Sequence, residues 1–182
     1  RQMCIRDSSY AALGGVMPEA ISGTGQVLCR VVSLAHLWNR VRVQGGAYGV
    51  GLVSRLAGLA AFYSYRDPSA ARTLGCYGES ASFLRQLEGM DLKGYIIGAV
   101  AQSDPQLTPR MKGKTADNHY WRGLTYERLC QVRRDMLSAT PADLMALAQP
   151  MEQLTASGAI CVLGSQAQIQ ACGETLDQVE IL

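Results

Sequence analysis

The chain has 182 residues, a length that suits one domain with a hydrophobic core of its own. Charged residues make up 18% of it, against about 25% in typical domains, which excludes a disordered chain and suggests that part of the surface is covered by another domain or subunit. The net charge of +2 provides no strong field for nucleic acid or an anionic membrane, so neither is expected as a partner.

The same sequence carries no sign of a membrane span, a signal peptide or a metal site. No segment reaches the ~18 consecutive apolar residues of a membrane span, and the N-terminus lacks a charged-then-apolar signal pattern. The six cysteines form no Cys-x-x-Cys pair, and His36 and His119 stand far apart. Scattered cysteines of this kind are typical of a reducing cytoplasm, which we take as the expected location.

The first eight residues do not lead into the pattern that follows. Residues 2–8 resemble the translation of a transposase end sequence carried by a sequencing-library adaptor. We therefore expect residues 1–8 to be a non-native tail and residues 9–182 to be a single domain, a fragment of a larger protein. The alternative is a short native tail.

The predicted elements begin with a strand over residues 9–14, followed by a helix that opens at residues 23–25. Apolar residues recur along this helix at three- and four-residue spacing. This stripe consists of Val27, Leu28, Val31, Leu34, Ala35, Trp38 and Val41. Gly45 and Gly46 end the helix. Strand-favouring residues from 47 to 65 then predict a hairpin with a turn near residues 55–58.

The second half of the chain is mainly helical in pattern. Asp67 and Pro68 predict a helix start, as cap and first helical residue, with the helix ending near Gly89. Another helix should end before Asp104, and residues 106–118 read as a loop that becomes helical toward Trp121.

Two further helices and two strands complete the pattern. Thr125 and Thr140 are predicted helix caps. A strand over residues 159–163, a small helix over 166–171 and a last strand over 179–182 follow. This order predicts an α+β fold, an antiparallel sheet with helices packed on one face.

Two segments carry a family resemblance. Residues 37–49 read Leu-Trp-Asn-Arg-Val-Arg-Val-Gln-Gly-Gly-Ala-Tyr-Gly, and residues 64–68 read Ser-Tyr-Arg-Asp-Pro. With further matches at residues 73–74, 95–98 and 133–137, the chain resembles the C-terminal half of the insulinase-like (pitrilysin) zinc metallopeptidases, in particular the presequence-protease branch. Several linked motifs in order are more specific than one short match.

The resemblance implies a place in a larger enzyme. These peptidases are clamshells of two halves, each made of two similar α+β domains, and this chain would be the last of the four. The N-terminal half holds zinc in an inverted His-x-x-Glu-His motif, which is absent here. The implied partners are therefore a peptide substrate and the N-terminal half, and this fragment alone should be inactive.

Arg42 and Tyr48 are the catalytic residues that the resemblance implies, because a matching Arg and Tyr reach across the chamber in the family. Gly45, Gly46 and Ala47 between them are implied substrate-binding residues. A guanidinium and a phenol are suitable donors to the oxygen that gains charge during peptide hydrolysis. Spacing alone leaves another interpretation open, in which Arg42 complements a helix end, Tyr48 is an ordinary strand aromatic and the glycines simply stop the helix.

Three functional hypotheses follow. The first is the C-terminal domain of a zinc metalloendopeptidase that degrades short unfolded peptides; the second is a non-catalytic structural or assembly homologue; the third is a free-standing peptide-binding module. Arg66 is expected in a salt bridge within the domain, with substrate contact as the alternative, and His36 on an outer helix face. The low charge predicts exposed apolar surface on one side of the domain.

Overall fold

Four strands form one antiparallel sheet in the order β2-β3-β1-β4. They are β1 (Ser9–Val16), β2 (Gly49–Arg55), β3 (Leu59–Asp67) and β4 (Ala159–Leu163). This computed structural model describes residues 9–55, 58–173 and 176–180. The predicted hairpin is confirmed by the pairing of β2 with β3, from Gly49 opposite Tyr65 to Arg55 opposite Leu59, and its turn includes two residues outside the described ranges.

The helices pack on one face of this sheet, which confirms the α+β prediction. In chain order they are α1 (Gly23–Val31), α2 (Ala70–Gly78), α3 (Ser80–Leu84), α4 (Lys93–Ser103), α5 (Pro109–Trp121), α6 (Tyr126–Ser138), α7 (Pro141–Ala146), α8 (Ala148–Ser157) and α9 (Gln166–Ala171). A short 3-10 turn (Pro18–Ile21) precedes α1, and a π-helix (Val32–Val43) continues it. Within the described ranges, no helix has the length and apolar character to cross a membrane.

Strand β3 shows why the sheet has one buried face. Phe62 and Ser64 point into the core, whereas Tyr63 and Tyr65 point outward, as the two-residue period of a strand requires. The Phe62 ring stacks on Tyr77 of α2 with 4.8 Å between centroids, and both are fully buried. Burying a side chain of this size stabilises the folded state by roughly 1.5–3 kcal/mol. Because one ring comes from β3 and the other from α2, the pair joins the helices to the sheet.

The π-helix changes which residues of the first helical region are buried. Through α1 the predicted stripe is correct, with Val27, Leu28 and Val31 buried. Beyond it the buried residues are Val32, His36, Leu37 and Val41, at spacings of four and five. Because hydrogen bonds in a π-helix run over five residues, the inward face advances by about one position, and Leu34 and Trp38 are 40% and 38% exposed.

The start of α2 differs from the prediction. The helix begins at Ala70, after Asp67 and Pro68, and it ends at Gly78, where α3 takes over. Asp67 is buried, and its carboxylate accepts hydrogen bonds from the Ser64 hydroxyl at 2.7 Å and the Ser69 amide at 2.8 Å. Asp67 therefore closes the turn between β3 and α2 instead of capping the helix.

Other boundaries were predicted with mixed success. Thr125 and Thr140 both cap helices, and Thr140 forms a full capping box with Asp143. Residues 106–118 were expected to begin as loop and become helical toward Trp121, whereas the helix α5 already begins at Pro109, after its cap Thr108. Of the predicted last strand, residues 179–180 are not in a strand and residues 181–182 lie outside the described ranges, as does the predicted tail at residues 1–8.

A pair of substitutions on β3 tests this two-faced sheet. Replacing the buried Phe62 with Ala should lower the free energy of unfolding by about 3–5 kcal/mol, because it leaves a cavity against Tyr77. Leu59→Ala on the outer face of the same strand, where the side chain is 46% exposed, should cost well under half of that. Urea denaturation of the chain measures both. Equal losses would contradict the assignment of the two faces.

Candidate functional site

The end of the π-helix and the start of β2 bring Arg42 and Tyr48 together. The Gly46 amide donates to the Arg42 carbonyl at 3.0 Å, and the Ala47 amide donates to the Val41 carbonyl at 3.2 Å. Gly46 has a φ of +80°, and a Cβ at Gly45 would lie 2.4 Å from the Val41 carbonyl oxygen. The two glycines are thus needed for a turn this tight.

Two hydrogen bonds fix this turn to neighbouring elements. The Tyr48 amide donates to the Arg66 carbonyl at 3.3 Å, which extends the pairing of β2 with β3 by one step. The Arg72 guanidinium, on α2, donates to the Gln44 carbonyl at 3.1 Å. The segment between Arg42 and Tyr48 is therefore held on one side by a backbone bond to β3 and on the other by the Arg72 side chain.

The side chains of the pair form part of a cation–aromatic cluster. The Arg42 guanidinium carbon lies 4.0 Å from the Trp38 ring centroid and 5.9 Å from that of Tyr48. On the same tyrosine, the Arg66 guanidinium carbon lies 5.3 Å from the ring centroid. Stacking on aromatic rings restricts an arginine to few conformations while its N–H groups stay available. We call Trp38, Arg42, Tyr48 and Arg66 the guanidinium–aromatic cluster.

Tyrosines extend this cluster onto the outer face of the sheet. The Tyr48 and Tyr65 ring centroids are 5.6 Å apart, and those of Tyr65 and Tyr63 are 6.4 Å apart. Both β3 rings lie across β2 over glycines, since a Cβ at Gly49 would lie 2.1 Å from the Tyr65 ring and one at Gly51 would lie 2.8 Å from the Tyr63 hydroxyl. Because Gly49 and Gly51 have no side chains, the two tyrosine rings can lie directly over β2.

The rest of the outer sheet face is apolar. Apart from Arg55, which pairs with Leu59 and whose side chain is not described, none of the residues at the outward register positions of the four strands is charged. Its members are Tyr10, Ala12, Gly14, Val16, Gly49, Gly51, Val53, Leu59, Ala61, Tyr63, Tyr65, Ala159, Cys161 and Leu163. We call this set the outer sheet face. It supports the expectation of an apolar side, although exposed aromatic residues also occur at Tyr120, Trp121 and Tyr126 on the helical side.

A cleft of about 910 Å³ opens beside the cluster. Trp38 and Tyr63 line it on the side of the site, with Leu34 and Leu52 next to them. The cleft is therefore continuous with the outer sheet face and offers room for side chains of a bound molecule.

His36 is buried, contrary to the expectation of an outer helix position. Its ring stacks on Phe83 with 4.9 Å between centroids, and Nε2 donates to the Cys76 carbonyl at 3.0 Å. Burial lowers the pKa of this imidazole, and the Arg40 charge acts in the same direction, while the bond to Cys76 and the Glu79 charge oppose it. His36 thus joins the π-helix that carries Arg42 to α2.

The described residues do not fit the zinc ion that the resemblance implies. Within residues 9–55, 58–173 and 176–180, no three or more His, Cys, Asp and Glu side chains group in a way that could hold a metal. The five cysteines of this part are free, and burial raises the pKa of Cys29 to about 12, so its thiol is no nucleophile at neutral pH.

Sequence reasoning placed two of the four cluster members, Arg42 and Tyr48, and assigned other roles to Arg66 and Trp38. Trp38 was placed on the buried stripe because the stripe assumed an α-helical period. Arg66 was expected in a salt bridge, whereas the ion pairs of the described residues join other side chains: Arg40 with Glu79, Arg85 with Glu152 and Arg133 with Asp104. The alternation of tyrosines in residues 63–65 was the available signal for an outward-facing aromatic surface.

Comparison with known proteins supports one family. Residues 15–166 match the family described as the PreP C-terminal domain. The chain is 34% identical over 151 residues to Protein HypA of Clostridium perfringens, covering 82% of this chain and 16% of that protein. It is 31% identical over 155 residues to presequence protease 1, chloroplastic/mitochondrial, of Arabidopsis thaliana, covering 83% of this chain and 14% of the relative.

A solved structure supports the same fold. A crystal structure of pitrilysin matches 85% of this chain with a TM-score of 0.60 at 16% identity, covering 18% of its own length. The chain belongs to the PreP C-terminal domain family, and its 31% identity to presequence protease 1 agrees with this assignment. It spans only 14–16% of the length of the two relatives described above.

The environment of His36 predicts a pH-dependent stability. Because the folded-state pKa is lowered, the unfolded chain binds more protons once the pH falls below about 6.5. The stability that neutral His36 contributes is present above that pH and should decrease as the pH falls toward the folded-state pKa. Thermal unfolding between pH 7.5 and pH 5 should show a steeper loss of Tm in the wild-type chain than in His36→Gln. Parallel pH profiles would contradict this role.

Proposed function

We propose that this chain is the substrate-enclosing C-terminal domain of a zinc metalloendopeptidase that degrades short unfolded peptides. Arg42 and Tyr48 donate hydrogen bonds to the carbonyl oxygen of the scissile peptide bond. The observation that carries the proposal is that these two donors lie close together at the margin of the outer sheet face. None of the described side chains of that face is charged. Membership of a family whose named relatives include presequence proteases supports a peptidase context.

The chemistry of peptide hydrolysis gives both donors a role. Attack on the carbonyl carbon moves negative charge onto the oxygen, and each preorganised donor aimed at that oxygen contributes about 3–4 kcal/mol to the barrier reduction in measured cases. The Arg42 guanidinium is always protonated, and its stacking on Trp38 limits the reorganisation needed. The Tyr48 backbone is paired to β3, which fixes where its side chain leaves the main chain.

The substrate-binding part of the proposal rests on the turn between the donors. Gly45, Gly46 and Ala47 have little or no side chain, so a peptide backbone can approach this turn closely. The outer sheet face and the adjoining cleft offer apolar contacts to side chains of many kinds, which suits an enzyme that accepts unfolded peptides of varied sequence.

Zinc belongs to the proposed complete enzyme rather than to this chain. When bound, zinc polarises a carbonyl and activates water. Since the described residues do not fit this ion, we assign it to the N-terminal half of the complete peptidase, which is the proposed partner of this chain. Without that half, the chain should not hydrolyse peptides.

The location of the complete protein is a separate question. The cysteine pattern led to a cytoplasmic expectation, and this stays a prediction. The names of several relatives place those proteins in mitochondria, as for the presequence proteases of Xenopus tropicalis and Saccharomyces cerevisiae.

Tyr48→Phe in the complete peptidase tests the proposal. Removing the phenol hydroxyl while keeping the ring should lower kcat on an unfolded peptide by roughly 100-fold, with a much smaller change in KM, because the donor acts mainly in the transition state. Steady-state kinetics measures both constants. Tyr120→Phe on α5, where the ring is 79% exposed, is the matched control and should leave both unchanged.

Two results would contradict the proposal. An unchanged kcat in Tyr48→Phe would remove the tyrosine from the chemistry. A wild-type complete protein without any peptidase activity would favour the second hypothesis, a structural or assembly homologue that has the fold without the chemistry.

A further inference from the structure

Arg66 has a backbone conformation that arginine rarely adopts. Its φ is +50°, and among the described residues it is the one non-glycine residue with positive φ. Glycine, asparagine or aspartate usually takes such a position because other side chains crowd the backbone there. Glycine would fit this conformation with less strain, so an arginine at this position indicates that the side chain itself has a function.

The surrounding structure enforces this conformation. The Arg66 carbonyl accepts the Tyr48 amide, and the next residue, Asp67, is anchored in the core by Ser64 and Ser69 through its carboxylate. The Ser9 hydroxyl also donates to the Asp67 carbonyl at 2.9 Å, at the irregular pairing between β1 and β3. With its neighbours fixed, Arg66 is directed outward over the Tyr48 ring.

The adjacent acidic residue does not neutralise Arg66. Asp67 is only 1% exposed, and its two carboxylate oxygens face the Ser64 hydroxyl and the Ser69 amide. The ion pairs within the described ranges use neither Arg66 nor Arg42. Two guanidinium groups therefore share one tyrosine ring at the margin of the outer sheet face, and their positive potentials add there.

We propose that Arg66 binds a carboxylate of the peptide substrate and so sets a preference for peptides that carry an acidic group near the scissile bond. This inference rests on the proposed function, in which the peptide lies on the outer sheet face while Arg42 and Tyr48 contact the scissile carbonyl. A guanidinium binds a carboxylate with two parallel hydrogen bonds, and the apolar surroundings strengthen this attraction relative to open water. Either an acidic side chain or the C-terminal carboxylate can supply the group.

Peptide binding to the wild-type chain and its variants within the complete protein, with the metal removed by a chelator so that no peptide is cleaved, tests the inference independently of turnover. Three unfolded peptides of one composition carry a neutral fluorophore at the N-terminus. The first has a central Glu and an amidated C-terminus, the second has Gln in place of Glu, and the third is the Gln peptide with a free C-terminal carboxylate. Fluorescence polarisation gives Kd for each. The wild-type chain should bind at least one carboxylate peptide roughly tenfold more tightly than the uncharged one. The peptide that shows the preference identifies the source of the carboxylate.

Variants assign that preference to Arg66. Arg66→Gln should abolish the preference between the carboxylate peptides and the uncharged one, whereas Arg134→Gln, the same charge change on α6, should retain it. The wild-type preference should also shrink as NaCl rises from about 50 mM to about 500 mM, because exposed charges are screened. A preference that persists in Arg66→Gln, equal weakening of all three peptides, or no binding of any peptide would overturn the inference.

Arg66→Gly separates the side chain from the fold. Glycine accepts the positive φ but has more freedom in the unfolded chain, so this variant should keep a Tm close to that of the wild type while it loses the carboxylate preference. A lower Tm with unchanged preference would show a structural role and overturn the inference. A normal preference in the binding assay together with an unchanged kcat in Tyr48→Phe would overturn the proposed hydrolysis mechanism alone.

Discussion

The π-helix from Val32 to Val43 is the feature on which the candidate site depends. Its hydrogen bonds run over five residues, so the inward face advances by about one position relative to an α-helix. That shift buries His36 in place of its neighbour Ala35 and moves Trp38 outward. On the exposed side of the helix, the Trp38 ring centroid lies 4.0 Å from the Arg42 guanidinium carbon, which lies 5.9 Å from the Tyr48 ring centroid.

The π-helix and the turn after it are secured by different interactions. His36 attaches the π-helix to α2 through the Cys76 carbonyl and to α3 through the Phe83 ring, and Arg72 attaches the turn at Gln44. Beyond the turn, the Tyr48 amide pairs with β3. A helix with non-standard hydrogen bonding is thereby stabilised by tertiary contacts, in the way that strained segments at functional sites generally are.

The outer sheet face and the cluster serve the same purpose in the proposed enzyme. An apolar surface lowers the local dielectric response, so a small number of fixed donors at its margin has a larger effect on a developing charge than the same donors in water. The glycines of β2 contribute by letting Tyr63 and Tyr65 lie flat on the strand. This face therefore accounts in part for the low fraction of charged residues in the chain.

The sequence allowed most of the sheet and most helices to be predicted, because strands and caps have short-range patterns. Thr140 with Asp143, and the alternation in β3, are examples. Arg42 and Tyr48 were instead implied by a family resemblance, and their roles stay a prediction. The π-helix could not be predicted, since its apolar spacing differs from that of an α-helix by a single position per turn. Asp67 was misassigned as a helix cap, because its burial depends on Ser64 and Ser69 adopting a turn that propensity does not reveal.

The central claim is that Arg42 and Tyr48 act together on one oxygen. A double-mutant cycle in the complete peptidase measures this most directly, with kcat/KM determined for the wild type, Arg42→Gln, Tyr48→Phe and the double variant. The account predicts a strongly non-additive result, in which the second substitution has little further effect after the first, as is seen for residues that act as a unit. Two losses that simply multiply would contradict it.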